Sequence, residues 1–351
     1  MHSGIERVAL VKWQDSDGKS DAIQRELEAL GCRVVPFRFD QAVPLDVDMV
    51  LTFAPYNRWL PIARQVGMCP RPRRPLLVHW HTEGMPNPAL PLALTRFMGS
   101  VRSWLDRLND GEDAGLPVRL RRSLLSRINS RASRYRFVGD YCWTRRLGWL
   151  DLLVDFSEAQ IGFWRCLGLP SVYIPWGTAS GREWWADLGL ERDIDVLWMG
   201  QRRNRRRSNL IEHLRADLQK HGLRVHVVDG VENPFVFGEK RTEILNRAKI
   251  ILNLQTVWYD NCFISRFHVA AGNRCLVVSE PFLMHSAEYR PGVHYVQAET
   301  AALAETVLYY LEHAEERAVI AENAFQLVTT RLTLRNSVEK LLQIAAERRG
   351  G

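Results

Sequence analysis

DVLWMGQRRNRRRSNLIEHLRADL, residues 195–218, reads as a buried strand, a glycine and a helix. Asp195–Met199 reads as a short strand, apolar from Val196 and stopped by Gly200. Leu210, Ile211, Leu214 and Leu218 then recur at helical spacing. Arg202, Arg203, Arg205, Arg206 and Arg207 crowd the turn between them. In an open α/β sheet, ligands bind at the carboxyl ends of strands. A glycine there admits close backbone approach, and the helix start offers unpaired N–H groups and partial positive charge to an anion. The same arginines also read as a solvated charge run.

The alternation extends in both directions. Downstream, Arg224–Val228, Ile250–Leu254 and Cys275–Val278 read as strands. Thr242–Ala248 and Phe263–Ala271 read as helices, and the chain is helical from Ala301 onward. Upstream, Arg7–Val11, Arg33–Phe37, Met49–Phe53, Leu76–His79 and Leu150–Phe156 read as strands. A helix capped by Ser20-Asp21 ends at Gly31. Strands alternating with helices predict parallel sheets of βαβ units. Two copies of one α/β architecture meet near Ser157–Gly177, where Gly168 and Pro175-Trp176-Gly177 punctuate the chain.

The 351 residues suit two domains. Hydrophobic residues at 46% and charged residues at 25% exclude wholesale disorder. No apolar run reaches the roughly 18 residues of a membrane helix, and Met1–Leu10 reads as a first strand, not a signal peptide. Six cysteines without a CxxC pair argue against a zinc site or disulfide framework and fit a reducing cytoplasm. The net charge of +7 favours anionic partners. Its source is local: from Arg96 to Trp149, twelve arginines face five acidic residues. Leu120, Leu124, Leu125 and Ile128 among those arginines describe an amphipathic basic helix. Such a helix docks on anionic lipid, holds a phosphorylated acceptor, or packs on the first domain with a solvated face. Nucleic acid is disfavoured, because no helix-turn-helix, RRM or KH pattern accompanies the charge.

RTEILNRAKIILNLQ (241–255) and SRFHVAAGNRCLVVSEP (265–281), together with 195–214, resemble the donor-binding half of the GT-B glycosyltransferases. The pattern is similar to the CgeB-like or glycosyltransferase family 1-like group (GT4-type). The resemblance implies an α/β fold of two Rossmann-like domains facing across a cleft, with C-terminal helices crossing back. It implies an acceptor domain over 1–172, with the Arg-rich insertion at about 88–148. A nucleotide-sugar donor domain follows over 173–330, and the helix 331–351 returns to the first domain. The expected activity is transfer of a sugar from a UDP-, GDP- or TDP-linked donor to an acceptor hydroxyl. The acceptor is a glycan, lipid, protein or small molecule, and anomeric configuration is retained.

By family position, Gly200, Arg206, Arg207 and Arg266 serve the leaving diphosphate, since arginine forks suit phosphate. The family's Glu-x7-Glu spacing falls on Asp260 and His268. Asp260 accepts hydrogen bonds from sugar hydroxyls. His268 departs from the pattern, being no carboxylate for ribose, and Glu280 is the substitute. Across the cleft, the strand end HWHTEGMPNP (79–88) offers His81 to orient the sugar or protonate the leaving phosphate, and Glu83 as base. His79 reads as core, and Gly84, Pro86, Asn87 and Pro88 make a turn. Asp193 and Asp195 precede their strand, the wrong end for ligands, so no catalytic metal and no bound cofactor are expected. Two rivals stand beside this reading. One is a nucleotide-sugar epimerase on the same fold. The other is a non-enzymatic basic module for anionic lipid or nucleic acid. A cytoplasmic enzyme with peripheral contact at an anionic membrane is the expected setting.

Overall fold

The computed structural model describes residues 4–13, 18–53, 56–82, 84, 86–110, 135–202, 205–259, 262–283 and 286–350. The chain forms two compact units. Met1–Ile174 with Val338–Gly351 make the first, and Pro175–Ser337 the second.

The first unit runs β1 (Arg7–Lys12), α1 (Gly18–Ala29), β2 (Arg33–Arg38), β3 (Met49–Thr52), α2 (Tyr56–Gly67) and β4 (Leu76–His81). It continues through α3 (Leu92–Asp110), α4 (Arg136–Arg146), β5 (Leu152–Asp155), α5 (Glu158–Cys166) and β6 (Ser171–Tyr173). All strand pairs are parallel, in the order β2-β1-β3-β4-β5-β6. The strands β3 and β5 are buried at every position, which is why each reads as an apolar run up to its last residue, Thr52 or Asp155. Trp59, Phe137, Tyr141 and Trp164 fill the core on one face.

The second unit holds β7 (Ile194–Met199), α6 (Arg205–Gln219), β8 (Val225–Val228), α7 (Gly238–Arg247), β9 (Ala248–Asn253) and α8 (Cys262–Gly272). It ends with β10 (Leu276–Ser279), β11 (Val296–Gln297), α9 (Leu303–Glu312) and α10 (Ala314–Gln326). These strands are also all parallel, in the order β11-β10-β9-β7-β8. Helix α11 (Leu334–Gly350) begins in this unit and finishes in the first, where Arg348 donates to the Asp151 carbonyl at 2.9 Å.

In both sheets the second strand lies outside the first and the third lies on its other side. The chain therefore reverses its winding between β1 and β3, and again between β7 and β9. That crevice is where doubly wound sheets bind ligands.

Three elements differ from the sequence reading. Helix α2 went unread because Pro61 lies inside it, and a proline ordinarily marks a break. Strand β11 has only two residues, too few for a pattern. The C-terminal region is not continuously helical: it breaks at His313 and again after a π-helical turn, Leu327–Arg331. After that turn Thr178 pairs with Thr333. Gly177 makes this crossing feasible, since a Cβ there would lie 2.1 Å from the Thr333 backbone. The basic helix expected around Leu120–Ile128 lies outside the described residues. Among the described residues, no helix is long and apolar enough to cross a membrane.

Candidate functional site

The carboxyl ends of β7, β9 and β10 carry Gly200, Asn253 and Ser279-Glu280 on neighbouring strands. Arg266, in the second turn of α8, reaches into the crevice between the first two. Its Nη2 donates to the Met199 carbonyl at 3.3 Å, and its Nη1 to Asn253 Oδ1. Asn253 is fixed in turn, its amide donating to Ser279 Oγ at 2.8 Å. Gly200 lies beneath this guanidinium with φ of +153°. A Cβ there would sit 3.4 Å from Arg266 Nη2 and 3.3 Å from the Trp198 ring. Glycine thus serves both the backbone angle and the close approach of the arginine. The structure brings Gly200 and Arg266 together at the winding-reversal crevice.

Arg206 and Glu280 also meet, but with each other. Arg206 Nη1 lies 3.0 Å from Glu280 Oε1, and Nη2 bonds Oε2. The buried carboxylate further accepts the Gln255 N–H, and Arg206 Nη1 donates to the Gln255 carbonyl at 2.9 Å. The Glu280 carboxylate beside it lifts the Arg206 pKa above its ordinary value. Glu280 was expected to serve ribose. Here its oxygens are committed to Arg206 and the Gln255 backbone, and they tie the start of α6 to the end of β9. The Arg206 side chain remains 48% exposed. Arg207 is buried, donating from Nη1 to the Gln201 carbonyl at 3.3 Å. Arg202 sits among Glu212, Asp229 and Glu232, so three carboxylates offset part of the turn's positive charge. Arg203 lies outside the described residues.

His268 is corrected by the structure. It is buried, with Nδ1 2.6 Å from Thr178 Oγ1 and Nε2 2.9 Å from the Tyr289 hydroxyl. A neutral imidazole has one donor and one acceptor, and both are engaged, so none is left for ribose. The site residue expected beside it, Asp260, lies outside the described residues, as does Glu83.

Burial pushes the His268 pKa from 6.5 down to about 3. The folded state therefore favours the neutral ring. Its contribution to stability is whole above 6.5 and is lost as the pH falls from there towards 3. Between pH 7 and pH 5 the wild type is expected to lose about 2 kcal/mol more stability than His268→Gln, which cannot titrate. Denaturant unfolding at the two pH values measures this; equal losses would contradict it.

In the first unit, β4 continues to His81, so His79 and His81 face the same side, and both are buried. His79 bonds Thr52 Oγ1 at 2.7 Å. His81 Nδ1 lies 3.0 Å from the Tyr141 hydroxyl, and its ring packs 4.7 Å from Phe137 and 5.2 Å from Trp164. A ring enclosed by three aromatics packs the strand end; it does not meet solvent. Beside it in register stands Asp155, which the sequence reading passed over. Its oxygens accept the Ser157 N–H at 2.8 Å and the Trp164 indole N–H at 2.6 Å. Burial nonetheless raises its pKa to about 7. An acid closing the apolar run LLVD was the available signal. In the second unit Asn253 and Gln255 were also missed, although polar residues interrupting IILNLQ marked them. Gln255 is buried with neither its side-chain oxygen nor its nitrogen hydrogen-bonded, which is costly for an amide.

Residues 203–343, covering most of the second unit, match the glycosyl transferase-like family. The whole chain superimposes on solved GT-B structures. One is the Anabaena protein HepE in complex with UDP-glucose, with a TM-score of 0.55 and 12% identity over 97% of this chain and 99% of that one. Another is a glycosyltransferase from Rickettsia africae, with a TM-score of 0.59 and 10% identity over 98% of each chain. A third is WaaG, a glycosyltransferase of lipopolysaccharide biosynthesis, with a TM-score of 0.54 and 14% identity over 96% and 99%.

The chain has the GT-B fold, and its residues 203–343 match a glycosyl transferase-like family.

No curated protein matches it by sequence. At these identities the structural likeness shows the fold, and the family match over residues 203–343 takes in Arg266. The two parallel sheets are accordingly the two Rossmann-like domains of a GT-B chain.

Proposed function

We propose that this GT-B protein transfers a sugar from a nucleoside diphosphate donor to an acceptor hydroxyl, without a metal and with retention of configuration. The observation that carries the reading is Arg266, spanning the ends of β7 and β9 above Gly200 in the domain that matches the family. As the glycosidic bond to the donor breaks, negative charge develops on the β-phosphate. A pre-positioned guanidinium and a helix N-terminus stabilise that charge without reorganising. Arg207 extends the positive field at the start of α6, and Arg206, its charge offset by Glu280, is held beside it as a hydrogen-bond donor.

Gln255 offers a donor and an acceptor for hydroxyls of the transferred sugar or the ribose, and Asp260 accepts from the same sugar. In the first domain Glu83 takes the acceptor proton. His81 holds the strand end that leads to it. The HepE complex supports a UDP-linked donor, with GDP- and TDP-sugars as alternatives. The acceptor is a glycan, lipid, protein or small molecule. The proposed setting is the cytoplasm, in contact with an anionic membrane surface.

Thermal unfolding with UDP-, GDP-, TDP- and CDP-sugars tests the donor site, because a ligand that binds only the folded state raises the midpoint. One nucleotide series is expected to raise it, and the matching sugar nucleotide to be consumed with an acceptor in the presence of EDTA. No shift at millimolar concentration with any of them would overturn the reading.

A further inference from the structure

Helix α3 carries its apolar face outward. Towards α4 it turns Thr95, Gly99 and Ser103, all buried. Leu94, Phe97, Val101 and Trp104 are 42%, 66%, 39% and 55% exposed. Their spacings of three and four residues set them on one stripe. On an ordinary amphipathic helix that stripe faces the core.

The inner face explains the inversion. A Cβ on Gly139 would lie 2.2 Å from the Gly99 carbonyl oxygen, so the two backbones are nearly in contact. Ser103 donates to Asp140, whose other oxygen lies 3.5 Å from Arg136. Helix α3 is thus held by backbone approach and a buried polar group. Leu94, Phe97, Val101 and Trp104 stay exposed, outside that packing.

Among the described residues, the exposed charges beside the stripe are basic. Arg96 is exposed on α3, and Arg145 and Arg146 are exposed at the end of α4 beside the exposed Trp143 and Leu147. The segment from Arg96 to Trp149 carries an excess equal to the net charge of the whole chain. We propose that this face of α3 and α4 docks the protein on an anionic phospholipid surface. The apolar stripe enters the boundary between headgroups and acyl chains, and the arginines meet the phosphates.

Nucleic acid would engage the arginines but gives no return for exposing Leu94 and Val101. A second copy would bring two strongly basic segments together. A lipid surface rewards both the stripe and the charge. The inference does not depend on the donor site.

Flotation with phosphatidylcholine vesicles, with and without an equal part of phosphatidylglycerol, tests it. The wild type is expected to float only with the anionic vesicles and to release as salt is raised. The double variant Phe97→Asp, Trp104→Asp is expected to lose binding by about tenfold or more. Its thermal midpoint should stay within about 2 °C of wild type, since exposed substitutions cost little. The second variant, Arg145→Gln, Arg146→Gln, is expected to bind less and to depend less on salt. Three results would overturn the proposal. The wild type floats with neither vesicle. The aspartate variant floats like the wild type. Or the aspartate variant loses many degrees of midpoint or changes oligomeric state, which means that residues 111–134 or a second copy cover the face. Nucleoside diphosphate titration of the same variants reads the donor site separately.

Discussion

Arg266→Ala is expected to weaken nucleoside diphosphate binding by about a hundredfold, the worth of two charge-assisted hydrogen bonds. The effect on kcat/KM with the full donor is expected to be larger, about a hundred- to a thousandfold, because the interaction strengthens as charge develops on the leaving group. Arg266→Lys should recover only part of it. An ammonium keeps the charge but cannot span Met199 and Asn253 with one rigid fork. Calorimetric titration of the three proteins with the nucleotide that raises the melting midpoint checks this. An affinity loss under about threefold for the alanine variant would place the diphosphate elsewhere.

Gly177→Ala is expected to cost about 3 kcal/mol, the upper end for overpacking, because the added methyl meets backbone that cannot rotate away. For a unit of this size that is a fall in midpoint of roughly 6–12 °C. The effect should reach the donor site as well. Gly177 precedes Thr178, whose N–H donates to the Leu332 carbonyl at 2.7 Å and whose hydroxyl meets His268. His268 stands two residues beyond Arg266 on α8. Moving Thr178 away loosens the helix that aims the arginine. Weakened diphosphate binding at a temperature where the variant is still folded would show this coupling; a midpoint shift with unchanged affinity would confine Gly177 to stability.

The residues that made the fold legible are those whose environment is local. Val196–Met199 is apolar because the middle of β7 is covered on both faces, and Gly200 stops it where the backbone needs an unusual φ. Strand existence followed from such runs in both units. What escaped depends on partners far along the chain. Glu280 and Arg206 are 74 residues apart, and only the fold makes one the counter-ion of the other. His268 sits at the spacing of a family carboxylate, yet Thr178, 90 residues earlier, and Tyr289, 21 residues later, turn it into a core histidine. His81 stood at a strand end beside a turn and read as a site histidine. The aromatic side chains of α4 and α5 enclose it. The orientation of α3 escaped for the opposite reason. Its heptad-like spacing is the pattern of a buried face, and only the close approach of Gly99 and Gly139 shows that the other face is inside.

On the proposed function, the donor diphosphate lies at the winding-reversal crevice of the second domain. A crystal structure with the nucleotide that raises the midpoint tests it most directly. The β-phosphate oxygens are expected within hydrogen-bond reach of the Arg266 guanidinium and the first turn of α6, above Gly200. Density for the diphosphate away from Arg266, or in the first domain, would contradict it.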